Sequence, residues 1–180
     1  MAASPARTAT LVAVPVALLA GVLAFVLLSG APGGKRAQPA GSPTAQATGP
    51  VPVAAPSLAD PAATACRALV AKLPQTLRDR ARRPVSEGTE QNAAYGDPPI
   101  VLTCGGVAAA EVPKSADLLV LSGVCWFAQD HDGAQVWTTV DREVPVSVQV
   151  PTSYEPTGQW VIGFSPAITD AIPQSSTRTC

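Results

Sequence analysis

Cys125-Trp126-Phe127-Ala128-Gln129-Asp130-His131-Asp132-Gly133-Ala134-Gln135-Val136-Trp137-Thr138-Thr139, followed shortly by Val144-Pro145-Val146-Ser147-Val148-Gln149-Val150-Pro151, is the part of the chain that decides its fold. In the second segment valine recurs at every other position, the period of a strand with one buried face. Pro145 and Pro151 have no amide to donate, so this strand is expected at a sheet edge, or to leave the sheet at those points. In the first segment Asp130-His131-Asp132-Gly133 reads as the loop of a β-hairpin. With all four residues in the loop, Trp126 stands opposite Trp137 and Phe127 opposite Val136, and aromatic pairing favours that register. A two-residue Asp132-Gly133 turn would set Trp126 against Thr139 instead.

Working outward, Leu118 to Phe127 is an apolar run leading into the hairpin. Ile100-Val101-Leu102-Thr103-Cys104 is a short buried strand between the turn-formers Gly96-Asp97-Pro98-Pro99 and Gly105-Gly106. Cys66, Leu69, Val70 and Leu73 recur at i, i+3, i+4 and i+7, one apolar face of a helix entered at Asp60-Pro61 and ended by Pro74. Val161, Phe164, Ile168 and Ile172 also have helical spacing, but Gly163 and Pro166 interrupt it and put a regular helix start at Ser165. The order helix, hairpin-linked strands, helix predicts an α+β fold. It would be a small antiparallel sheet packed against an N-terminal and a C-terminal helix.

The chain has 180 residues, a net charge of −1, and 47% hydrophobic but only 14% charged residues. The apolar residues are unevenly spread. Leu11 to Leu28 carries no charge, and as a helix it would reach roughly 27 Å, close to the hydrocarbon thickness of a bilayer. It is read as one transmembrane helix ahead of the domain. Ser29-Gly30-Ala31 offers small residues for signal cleavage, so a secreted form is the alternative. Arg7 precedes the span while Lys35 and Arg36 follow it, a count that would favour a cytoplasmic domain. Four cysteines and a proline-rich spacer outweigh that single charge and favour an oxidising exterior. Seven prolines lie between Gly30 and Pro61 among Ala, Gly, Ser and Thr, too little apolar surface to offset ordering entropy. The expected organisation is therefore a membrane segment at 1–29, a disordered spacer at 30–61, a globular domain at 62–174 and a tail at 175–180.

Cys66, Cys104, Cys125 and Cys180 allow three pairings. No CxxC is present, which argues against zinc and thioredoxin chemistry. Cys66–Cys104, joining the first helix to the first strand, is the favoured bridge. Cys125–Cys180 would then clip the tail to the hairpin, the alternative being a buried thiol and a free terminal one. His131 is the only histidine and reads as a loop residue. Asp130-x-Asp132-Gly133 lacks the distal glutamate of a calcium loop. No nucleophile elbow, phosphate loop or His-Glu-x-x-His occurs, so no catalytic residue, metal or cofactor is expected. From Arg67 to Arg83 the charge sums to +5, and from Pro84 onwards to −8. Arg78, Arg80, Arg82 and Arg83 are thus candidates for contact with an anionic polymer or lipid headgroup, against a solvated turn paired to the domain's own carboxylates. A chain near neutrality is not expected to bind nucleic acid.

Cys66-x-x-Leu69-x-x-x-Leu73-Pro74, Arg82-Arg83, Tyr95-Gly96-Asp97-Pro98-Pro99-Ile100-x-Leu102-x-Cys104-Gly105, Trp126-Phe127 and Thr138-x-Val140-Asp141-Arg142 stand in that order. Over Cys66 to Pro173 the chain resembles an actinobacterial exported domain of unknown function, the family numbered thirty-five fifteen. The resemblance implies an N-terminal span, no assigned activity, and a bridge between Cys66 and Cys104. Cys125 and Cys180 depart from its pattern, which makes them each other's partners, and Tyr95 stands where tryptophan is expected. The functional expectation is a membrane-anchored extracytoplasmic, non-catalytic binding module facing a cell-envelope protein or wall polymer. An envelope hydrolase or transferase is the alternative, and carboxylates gathered in one pocket would favour it.

Overall fold

The computed structural model describes residues 47–106, 112, 113, 115–177 and 180. The chain divides into two units, and the second, Ala45–Cys180, carries the fold. Among the described residues no helix is long and apolar enough to cross a membrane. The expected span at 11–28, with the signal segment and the spacer up to residue 46, lies outside them.

Helix α1 (Ala62–Lys72) leads into strands β1 (Thr76–Leu77), β2 (Arg80–Arg83), β3 (Asn92–Tyr95), β4 (Ile100–Cys104), β5 (Leu118–Leu121), β6 (Val124–His131), β7 (Ala134–Thr139) and β8 (Val146–Pro151). Helix α2 (Gly158–Val161), a 3-10 turn over Ile162–Phe164 and helix α3 (Ser165–Ala171) complete the unit. The strands form one sheet in the order β1-β2-β3-β4-β8-β7-β6-β5, every neighbouring pair antiparallel. Chain and space part company at β4: the next strand, β5, lies at the far edge, and a meander brings β8 back beside β4.

The core lies on one face of this sheet. Ile100, Leu102 and Cys104 of β4 and Val146, Val148 and Val150 of β8 alternate inward, joined by Trp126 and Trp137. Cys66, Leu69, Val70 and Leu73 of the first helix, with Val161, Phe164, Ile168 and Ile172 from the C-terminal region, close over them. All four apolar positions of the C-terminal helical pattern are fully buried, even though Gly163 and Pro166 break the backbone into short pieces. Leu77 fills the space where a Cβ on Gly163 would stand, its Cδ1 only 2.5 Å away, which ties that glycine to close packing.

Several expectations need correction. The β6–β7 hairpin uses the two-residue Asp132-Gly133 turn, so Trp126 faces Thr139 and Phe127 faces Thr138. Gly133 takes φ +73, a conformation a glycine adopts without steric cost, and this lets the ladder run on to His131 and Ala134. The slip of two residues keeps every side chain on its face, which is why the alternation could not distinguish the registers. Leu118–Phe127 is itself a hairpin, turned at Ser122 and Gly123, both left-handed (φ 50 and 78). Strand β8 is central, between β4 and β7; Pro145 precedes it and Pro151 is its last residue. Nor does the spacer reach residue 61. Val51 is 3% exposed, bridges to Val85 and exchanges hydrogen bonds with Pro84 and Ser86, so the packed unit includes residues the composition had marked as tether. Asp60 gives the helix no side-chain cap; its Oδ1 accepts from the Thr64 hydroxyl instead.

Candidate functional site

Among the described residues, helices cover one face of the sheet and not the other. Residues alternating with the core point to the other, and the strand registers line them up in rows. Asn92, Thr103, Ser147, Thr138, Phe127 and Leu118 form one row across six strands; Ala94, Val101, Gln149, Val136 and Gln129 form the next. A concavity of about 370 Å³ sits on this face, lined by Val101, Thr103, Gly106, His131, Val136, Ser147 and Gln149. A second, of about 720 Å³, shares Val101, Thr103, Gly106 and Gln149 with it and is walled by Pro52–Pro56 and Glu87. The two form one trough. Among the described residues its floor is neutral: valine methyls, two hydroxyls and the Gln149 amide, with His131 in one half and Glu87 in the other.

Two side chains carry particular weight. Gln149 is exposed and has no side-chain hydrogen bond among the described residues. Asn92 is 1% exposed; its Nδ2 donates to Ala54 O at 3.0 Å and Glu87 O at 3.2 Å, while Oδ1 has no partner. A buried acceptor left unsatisfied is costly; Asn92 pairs with Thr103 in the register but is not among the residues that line the trough.

The arginine cluster is drawn into the fold. Arg80–Arg83 is strand β2, and Arg78-Asp79 turns the chain into it. Arg78 donates to Gln159 at 3.1 Å and stacks on Trp160. Arg80 lies over Tyr154 and pairs with Asp79 at 3.3 Å. Arg82 donates to Val70 O, and Arg83 to Gly96 O and Gly49 O at 2.9 Å each. Each guanidinium therefore already has an intramolecular role, and of the four only Arg78 is well exposed. His131 ends β6 and lines the trough; Asp132 stays in the exposed turn, and Asp130 accepts from Gln135 Nε2 at 2.7 Å. Among the described residues no three His, Cys, Asp or Glu side chains are placed to hold a metal ion.

Cys66 is joined to Cys104, and Cys125 to Cys180. Beside the second pair, Asp141 and Arg142 form a buried ion pair (Nε to Oδ1, 3.3 Å). Arg142 also donates to Gly123 O at 2.6 Å and Ile172 O at 3.4 Å, and Asp141 accepts the Cys125 amide at 3.1 Å. The motif read in sequence as Thr138-x-Val140-Asp141-Arg142 is thus a clamp. It ties the β5–β6 turn to the segment following the last helix.

Sequence reasoning missed Val101, Thr103, Val136, Ser147 and Gln149 as a site. The available signal was the off-phase half of the valine alternation, where Ser147 and Gln149 interleave with the core. These features define a class: an α+β domain with two disulfides, helices on one sheet face and a neutral trough on the other. A family model described as a protein of unknown function (DUF3515) matches residues 12–177, and the chain belongs to that family. The match extends well N-terminal of the Cys66–Pro173 stretch that carried the resemblance. Neither a curated protein nor a solved structure matches the chain.

Proposed function

We infer that the chain is a non-catalytic binding module of the cell envelope, carried on a membrane-tethered chain, and that its ligand seats in the trough on the open sheet face. The observation that carries this is the trough itself. It is a continuous concavity on the face the helices leave bare, lined by valines, hydroxyls and one unengaged amide rather than by paired carboxylates. General acid–base chemistry needs two titratable groups in reach of one substrate, whereas a neutral concave lining suits binding. Anchorage through residues 11–28 and an extracytoplasmic domain rest on the apolar run and on four cysteines in two pairs.

A photo-crosslinking amino acid at Gln149 in intact cells tests the binding reading, with the same group at exposed Ala71 on α1 as control. Adducts specific to Gln149 are expected. Equal adducts at both positions, or none, would refute it. Placement is tested separately with a maleimide that cannot cross the membrane. Labelling only after reduction is expected, and complete labelling by a permeant reagent without reduction would exclude the exterior.

A further inference from the structure

The open face already holds one peptide segment, the chain's own. From Pro52 to Ala59 the backbone runs without helix or turn, and the stretch Pro52-Val53-Ala54-Ala55-Pro56 is uncharged and rich in proline and alanine. Side-chain amides hold it by its carbonyls: Asn92 Nδ2 donates to Ala54 O at 3.0 Å and Gln91 Nε2 to Pro56 O at 2.9 Å. The Ala55 methyl sits against Gly88, where a Cβ would stand 2.7 Å away. Proline-rich backbone offers carbonyls but few amide donors, and it is stiff before it binds. Here it is held by side-chain donors and a small apolar contact, and its stiffness keeps the entropic cost of binding low.

The neighbouring half of the trough repeats this chemistry. Gln149 supplies a free amide, Thr103 a hydroxyl and Ser147 a hydroxyl shared with Thr138, and Val101 and Val136 supply aliphatic contact. Both halves share four lining residues, so the surface that runs under residues 52–56 continues into the space beside them. Among the described lining residues His131 and Glu87 are the titratable side chains, a poor lining for a polyanion. No aromatic platform of the kind that stacks on sugar rings is among the lining residues.

We propose that the trough binds an extended, uncharged, proline- and alanine-rich segment of another polypeptide, laid alongside the chain's own residues 52–56. The proposal rests on the reading of this face as a binding surface.

The test is fluorescence anisotropy with the full, oxidised chain in detergent micelles. The probe is a labelled synthetic peptide of alternating proline and alanine, about nine residues or three polyproline turns long. Saturable binding is expected. It should weaken by about tenfold or more in Gln149→Arg, which fills the trough, and stay unchanged in Ala71→Arg on the helix face. If Gln149→Arg does not fold, Gln149→Leu removes only the donor and should weaken binding by roughly three- to tenfold. A glycine–serine peptide of the same length, which must be ordered on binding, should bind about tenfold more weakly. Absence of saturable binding, indifference to Gln149, or equal binding of the flexible peptide would overturn the proposal. So would Gln149-dependent binding of a chitin tetrasaccharide in place of the peptide. Gln149 crosslinking in cells without peptide binding would sink this proposal alone and leave the binding reading intact.

Discussion

At Tyr95 the phenol is wholly buried against Phe164, ring centroids 5.5 Å apart, and its hydroxyl donates to Pro74 O at 2.7 Å. Burial pushes its pKa up from 10.0 to about 12, opposed by the nearby Arg82 charge. The folded state therefore holds this proton more tightly than the unfolded chain. The resulting stabilisation is complete below pH 10 and is lost as pH rises through about 12. Thermal melts should show Tm flat in this respect up to pH 10 and falling beyond it, and Tyr95→Phe should flatten the alkaline decline. At neutral pH the same substitution strands the Pro74 carbonyl and should cost about 1 kcal/mol. Asp141 and Arg142, at 4% and 6% exposure, depend on each other more strongly. Arg142→Met leaves a buried carboxylate without its cation and should cost about 3–5 kcal/mol in urea unfolding. Replacing both by apolar residues should cost less than the two single changes summed, because no lone charge is left behind.

Turn chemistry decides at the scale of the element. Gly133 has open space around the site of a Cβ, so Gly133→Ala tests backbone conformation alone; a loss of about 1 kcal/mol is expected, read by denaturant midpoint. Ser122 is the opposite case, a side chain held at φ 50, and Ser122→Gly should be neutral or slightly stabilising. The Asp-Gly turn was legible in the sequence as the alternative register, whereas the Ser-Gly turn was missed inside an apolar run. The hairpin register could not be chosen from the pattern because the two candidates differ by two residues, which preserves the face of every side chain. What separates them is whether Asp130 and His131 pair with Gln135 and Ala134, a backbone matter that binary patterning does not encode. Strands β2 and β3 were hidden for another reason. Arg80-Ala81-Arg82-Arg83 and Asn92-Ala93-Ala94-Tyr95 lack an apolar alternation, and they become strands because neighbours on both sides offer their backbones.

The two disulfides act on the molecule as a whole. Cys66–Cys104 spans 38 residues and fastens the first helix to the β4 strand; Cys125–Cys180 spans 55 and fastens the terminus to the hairpin. Removing the first pair as Cys66→Ala/Cys104→Ala should lower stability by about 3–4 kcal/mol through the unfolded chain's added freedom, measured by equilibrium unfolding under oxidising conditions. Covering one sheet face with helices and part of the other with residues 52–56 is likewise a property of the assembled molecule. It turns the polar half of each strand into the lining of the trough.

Sequence alone determined the α+β class, the first helix and its end at Pro74, the β4 strand, the inward valines of β8 and the membership of one family. These follow from period, turn residues and motif order, all local. It did not reach the central place of β8, the strands with no apolar alternation, the docking of residues 51–58, the spending of the arginines on carbonyls and rings, or the trough. Each of those depends on which distant segments lie side by side. Contacts between residues far apart in the chain are set by the balance of burial over the whole unit, and no local window of sequence contains that balance.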